Sequence, residues 1–205
     1  MNTLKYILNI ILFTCLIYFI YINNKLLADL DSTVLTNKKK QETISKLQMN
    51  SFFQQESLRE VIQNTDINIK DREVYWGTDT INKFSINLLA TSPKLILFIS
   101  NNTCSPCVEK IMNLLKKHFM NFTDNDKIIV ATTNYQFRCR DNFFEGKKML
   151  SISSSLGLMI EGKDLPFLFI LDKDMKTKFC HIFLKTQPEF TDLYLSEINS
   201  IYKIN

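Results

Sequence analysis

The sequence predicts an α/β domain on a mixed sheet, a βαβ unit followed by a ββα unit, flanked by helices and carried behind an N-terminal transmembrane helix. Three observations predict it. Leu95-Ile96-Leu97-Phe98-Ile99, Ile128-Ile129-Val130-Ala131 and Phe167-Leu168-Phe169-Ile170-Leu171 are short, wholly apolar runs, the mark of strands covered on both faces. Between the first two, Val108, Ile111, Met112, Leu115 and Phe119 recur at helical spacing, with Glu109, Lys110, Lys116 and Lys117 pointing elsewhere. From Tyr6 to Ile22 the chain carries no charge.

That uncharged run, at about 1.5 Å per residue, spans roughly 25 Å, enough for a thin bilayer. Tyr18, Phe19 and Tyr21 stand where signal-peptide cleavage would need small residues, so residues 1–24 read as an uncleaved signal anchor, with Tyr6, Tyr18 and Tyr21 near the interfaces. A buried helix of a soluble domain is disfavoured, because the stretch is apolar all round. Lys5 and the α-amino group oppose Lys25 and Lys38-Lys39-Lys40, so charge alone leaves the orientation open.

Residues 25–65 read as a juxtamembrane linker and stalk. A connector over 23–37 leads into a helix from Lys38 to about Gln63, free of Pro and Gly, with Ile44, Leu47, Ser51, Leu58 and Ile62 as a patchy stripe. The domain occupies 66–205, entered through short strand-like pieces at Ile67, Ile69, Val74 and Trp76. The first apolar strand passes through a polar loop, Ser100 to Thr103, into Cys104-Ser105-Pro106-Cys107 and the amphipathic helix. The strand at 128–131 then completes a βαβ unit with parallel strands. A helix is expected around Asp141–Leu150. Asp172 to Lys176 forms a turn between the strand Phe167–Leu171 and a fourth strand, Lys178–Leu184, giving an antiparallel hairpin. Thr186 and Glu189 fit a capping box with Pro188 in the first turn. The last helix carries Phe190, Leu193, Tyr194, Ile198 and Ile201 along one side.

A chain of 205 residues with 45% hydrophobic residues buries a genuine core. Its net charge of +4 is too small, and its lysines too scattered, for a nucleic-acid protein. The five cysteines, Cys15, Cys104, Cys107, Cys139 and Cys180, do not form a disulfide scaffold. Only Cys104 and Cys107 have a spacing that carries chemistry. Two intervening residues at a helix start bring two thiols within bonding reach. The free N–H groups and the helix dipole there favour a thiolate at Cys104. Pro106 has no N–H to lose in a first turn. Cys104 is then the exposed nucleophile, and Cys107 the shielded resolving thiol. A structural zinc would need a second ligand pair, and Cys139 and Cys180 stand apart. No metal site and no cofactor are expected.

In this arrangement the sequence resembles the thioredoxin superfamily, and its membrane-anchored bacterial branch in particular, over about residues 80–203. The resemblance rests on Leu97-Phe98-Ile99-Ser100 before Cys104-Ser105-Pro106-Cys107, and on Leu165-Pro166 before Phe167–Leu171. It implies a thioredoxin-like fold and thiol–disulfide exchange with protein thiols and disulfides. It further implies that Pro166, preceded by Leu165, is a cis-proline facing the cysteine pair and holding an extended substrate segment. The domain would then face the periplasm from the bacterial inner membrane. Two positions depart from the family pattern: Thr103 replaces the usual aromatic residue, and Leu95–Ile99 lacks a buried carboxylate.

Two other functions stay open. One is a copper metallochaperone using the cysteine pair with His181; adjacent strand residues face opposite sides, so one of Cys180 and His181 packs inside and the other is solvated. The other is a redox-inactive adaptor. Cys139 is free or pairs with Cys180. His118 and Trp76 read as structural.

Overall fold

The computed structural model describes residues 2–100, 102–133 and 143–204, with the side chains of 2–6, 8–11, 53 and 143 excepted. The chain divides into two units, Met1–Gln54 and Gln55–Asn205. The first unit is helical, as part of α1 (Asn2–Asn64). No Gly or Pro interrupts α1, and the hydroxyls of Ser32, Thr33 and Thr36 fold back onto carbonyls three or four residues earlier, at 2.9, 2.8 and 2.8 Å. The helix therefore runs straight through the expected connector. Leu12, Phe13, Tyr18, Phe19 and Tyr21 are each more than half exposed. Among the described residues no helix is long and apolar enough to cross a membrane. The span expected over 1–24 is thus not found there, and part of its uncharged run, Tyr6 included, falls outside the described side chains.

The second unit is a mixed sheet. Its strands are β1 (Glu73–Trp76), β2 (Phe84–Ser85), β3 (Lys94–Ile99), β4 (Ile128–Thr133), β5 (Phe143–Phe144), β6 (Lys147–Ile152), β7 (Phe167–Leu171) and β8 (Thr177–Ile182). Their order is β2-β1-β6-β4-β3-β7-β8, with β5 paired to β6. β3, β4 and β6 run parallel. β7 joins β3 antiparallel, in register Phe98 to Phe167, and β8 closes the edge. Helices α2 (Ser105–His118) and α3 (Pro188–Tyr202) complete the order.

Alternation along β3 explains its unbroken apolar run. Leu95, Leu97 and Ile99 join Val108, Ile111, Leu115, Leu195 and Ile198 on the helical face. Ile96 and Phe98 join Phe167, Phe169 and Leu158 on the other. That second face is covered by loops and two 3-10 turns, Ile86–Leu89 and Met159–Lys163, together with the last turn of α1. Asn64, fully buried there, donates to the Glu60 carbonyl at 2.8 Å and accepts from the Ile160 N–H at 3.3 Å. Each large side chain so buried contributes about 1.5–3 kcal/mol.

Three sequence expectations are corrected. The helix around Asp141–Leu150 is instead the β5–β6 hairpin, with Asp141 and Asn142 outside the described residues. Glu145 and Gly146 both take positive φ, 47° and 86°, as a two-residue turn of type I′ requires. The capping box at Thr186 does not form. Gln187 is the N-cap of α3, because Pro188 takes the first helical position, where its fixed φ fits best. The buried stripe of α3 is Thr191, Leu195 and Ile198, while Phe190, Leu193 and Ile201 are exposed.

Candidate functional site

β3 ends at Ile99, and Ser100 begins the loop that delivers the cysteines. The Thr103 N–H donates to the Ser100 carbonyl at 3.2 Å. The Ser100 N–H donates to the Thr103 hydroxyl at 3.1 Å. Thr103 is 1% exposed, so this position is filled by a hydroxyl closing its own turn.

Cys104 is the N-cap of α2, with extended backbone (φ −62°, ψ 135°). Its carbonyl accepts the N–H groups of Cys107 and Val108 at 3.0 and 3.1 Å, and Pro106 sits at the second helical position, where no N–H is missed. The first turn holds no acidic residue and the last carries Lys116, Lys117 and His118, so the negative partial charges at the C-terminus are matched and the N-terminal field is left to Cys104. Cys104 is exposed and Cys107 is 7% exposed. The two are disulfide-bonded, with Cα atoms 5.3 Å apart, inside the range such a bond needs.

The pairing of Phe98 with Phe167 makes the loop after β3 and the loop before β7 leave the sheet at the same end of two neighbouring strands. Two hydrogen bonds join them. The Asp164 carboxylate accepts from the Ser100 hydroxyl at 3.2 Å and from the Asn102 amide at 3.3 Å. Leu165 is half-buried and Pro166 buried, and the Pro166 carbonyl accepts the Phe183 N–H at 2.9 Å. Among the described residues no peptide bond is cis, so the expected cis bond at Pro166 is corrected to the trans form that X–Pro bonds ordinarily prefer. A polar cavity of about 380 Å³ adjoins these loops, bounded by Phe98, Ser100, Asn102, Thr133, Glu161 and Asp164.

Cys180 and His181 face opposite sides of β8, the first buried and the second half-buried against α3. Cys180 is buried, its thiol donates to the Asn64 carbonyl at 3.2 Å, and burial pushes its pKa up to about 12. It is a free thiol, and Cys139 lies outside the described residues. His181 shares a 2.8 Å hydrogen bond with the Thr191 hydroxyl and stacks on Tyr194 at 4.7 Å. Burial pushes its pKa down to about 4. Its ring is engaged by α3, and among the described residues no group of three or more His, Cys, Asp or Glu is placed to hold a metal ion. His118 is bonded to Asp192 at 2.8 Å. Trp76 packs on Phe84 with Lys148 over its ring.

Sequence reasoning missed Ser100, Asn102 and Asp164 as a unit. More than sixty positions separate the partners, so no local pattern announces them. The one available signal is an acidic residue directly before Leu165-Pro166.

No family model matches the chain, and no curated protein matches it. Solved structures resemble it at low identity. They include an uncharacterized thioredoxin-like protein from Porphyromonas gingivalis, at 16% identity and TM-score 0.44 over 68% of this chain and 95% of that one. A proposed thiol:disulfide interchange protein DsbE from Chlorobium tepidum matches at 13% and 0.41, over 65% and 96%. The exposed lipoprotein thioredoxin Etrx1 from Streptococcus pneumoniae strain TIGR4 matches at 14% and 0.39, over 62% and 98%. The mixed sheet, its flanking helices and the cysteine pair at the start of α2 fit a thioredoxin-like fold.

Proposed function

We propose that this chain is a membrane-anchored thiol–disulfide oxidoreductase acting on protein disulfides through Cys104 and Cys107. The observation that carries it is the asymmetry of the pair: an exposed cysteine at a helix N-terminus, bonded to a buried one a turn further in. In the reducing direction the Cys104 thiolate attacks one sulfur of a substrate disulfide. A Cys104–substrate bond forms and the other substrate sulfur leaves as a thiolate that takes up a proton. The Cys107 thiolate then attacks the Cys104 sulfur, forming the intramolecular disulfide and releasing the second substrate thiol. Two electrons pass from the pair to the substrate, and the reverse sequence oxidises a dithiol. No cofactor enters either direction. The half-buried Leu165, directly ahead of the buried Pro166, offers the side chain against which a substrate segment would lie.

The uncharged run from Tyr6 to Ile22 supports the anchor, as do the side chains exposed all round α1 from Leu12 to Tyr21. An anchored exchange site serves where protein disulfides form, which in a bacterium is the periplasmic side of the inner membrane. In cells, Cys107→Ser should accumulate disulfide-linked adducts that reductant dissolves, and a membrane-impermeant maleimide should label them after release. Absence of adducts from Cys107→Ser, with normal protein levels, overturns the proposal.

A further inference from the structure

We propose that Asp164 is a positioning residue that sets how readily the Cys104–Cys107 disulfide is reduced, acting through the Ser100 and Thr103 hydroxyls; this rests on the exchange reading above. Asp164 closes the 3-10 turn Met159–Lys163 in the left-handed region, at φ 53°, a conformation Asp tolerates better than most residues. From there it stands two positions before Pro166 and reaches across to the loop that leads into Cys104. Both of its oxygens are used, one by Ser100 and one by Asn102.

The direction of these hydrogen bonds follows from the chemistry of the groups. A carboxylate ion accepts and never donates, so the Ser100 hydroxyl spends its proton on Asp164. The Ser100 and Thr103 oxygens are 3.0 Å apart. With the Ser100 proton committed, the Thr103 hydroxyl is the donor in that contact, while its oxygen accepts the Ser100 N–H. The chain therefore runs from Thr103 to Ser100 to Asp164, away from Cys104. Neither hydroxyl proton is turned toward a Cys104 thiolate, and the Asp164 carboxylate bonded to that loop opposes a second negative charge there. Both effects disfavour the thiolate, hence the reduced form, and hold the pair toward its disulfide. An amide at 164 carries no charge and presents N–H donors that reverse the chain.

The test equilibrates the full chain in detergent with glutathione buffers, in which the disulfide and two glutathione thiols exchange with the dithiol and glutathione disulfide. Asp164→Asn should shift that equilibrium toward the dithiol by about threefold or more, and speed Cys104 alkylation near neutral pH by a similar factor. Asp164→Glu should stay within about twofold of wild type. Ser100→Ala, which frees the Thr103 proton without removing the charge, should shift in the same direction. An Asp164→Asn chain that keeps its melting temperature and moves neither readout overturns the role of Asp164 while leaving disulfide exchange intact. A wild-type chain that does not exchange with glutathione at all overturns both.

Discussion

Cys104 and Cys107 are covalently joined, yet only Cys104 meets solvent: it is exposed, whereas Cys107 is 7% exposed beneath the first turn of α2. Once the bond is reduced, an alkylating reagent should therefore modify Cys104 at least about tenfold faster than Cys107, since reactivity follows thiolate character and access. Mass spectrometry of peptides after a short iodoacetamide pulse checks this. Equal labelling of the two thiols contradicts the assignment of nucleophile and resolving group.

His181 makes stability fall with acid. In the folded chain burial pushes its pKa down to about 4 from an ordinary 6.5. The unfolded chain therefore binds the proton first as pH falls through 6.5, and protonation favours unfolding until the folded state also titrates near 4. Stability should be flat above pH 7 as far as this group is concerned and lose at most about 3 kcal/mol between 6.5 and 4. Urea denaturation across that range checks it, because His181→Gln should flatten this part of the profile.

Lys147 is held by the segment that leads into β4 rather than by the site. Its ammonium donates to the carbonyls of Phe122 at 3.0 Å and Thr123 at 3.3 Å, and also to that of Asn125. Lys147→Met keeps the stem and strands those carbonyls, so it should cost about 2 kcal/mol and several degrees of Tm. Exchange activity of the cysteine pair should be unchanged.

Gly146 completes the two-residue turn between β5 and β6. At φ 86° it occupies the left-handed region, and an added Cβ would stand 3.0 Å from the Thr123 side chain. Gly146→Ala should destabilise by about 1–2 kcal/mol, measured as a lower urea midpoint at unchanged slope.

The parts of the fold legible in the sequence are those with short-range signatures. β3, β4 and β7 announce themselves as apolar runs, and α2 by its 3.6-residue stripe, because covering a strand on both faces or a helix on one leaves a periodic trace. The β5–β6 hairpin was illegible because Lys147, charged and buried at once, breaks strand alternation, and Glu145 is an unusual residue for a type I′ turn. On α3 the polar Thr191 packs inward while Phe190 and Leu193 face out, so hydrophobicity alone picked the wrong side. At the site, the cysteines, Ser105 and Pro106 were readable as a four-residue motif. Asp164 was not, since its meaning comes from Ser100 and Asn102 at the end of the neighbouring strand.

An exchange site at Cys104 and Cys107 must turn over between dithiol and disulfide. Its most direct measurement is a redox titration of the full chain, with the oxidised fraction read by thiol-specific mass tagging. One two-electron transition confined to Cys104 and Cys107 is expected, at a potential within the span of known exchange proteins, about −270 to −120 mV. Two cysteines that stay reduced throughout, and titrate together like free thiols near about 8.5, would contradict it.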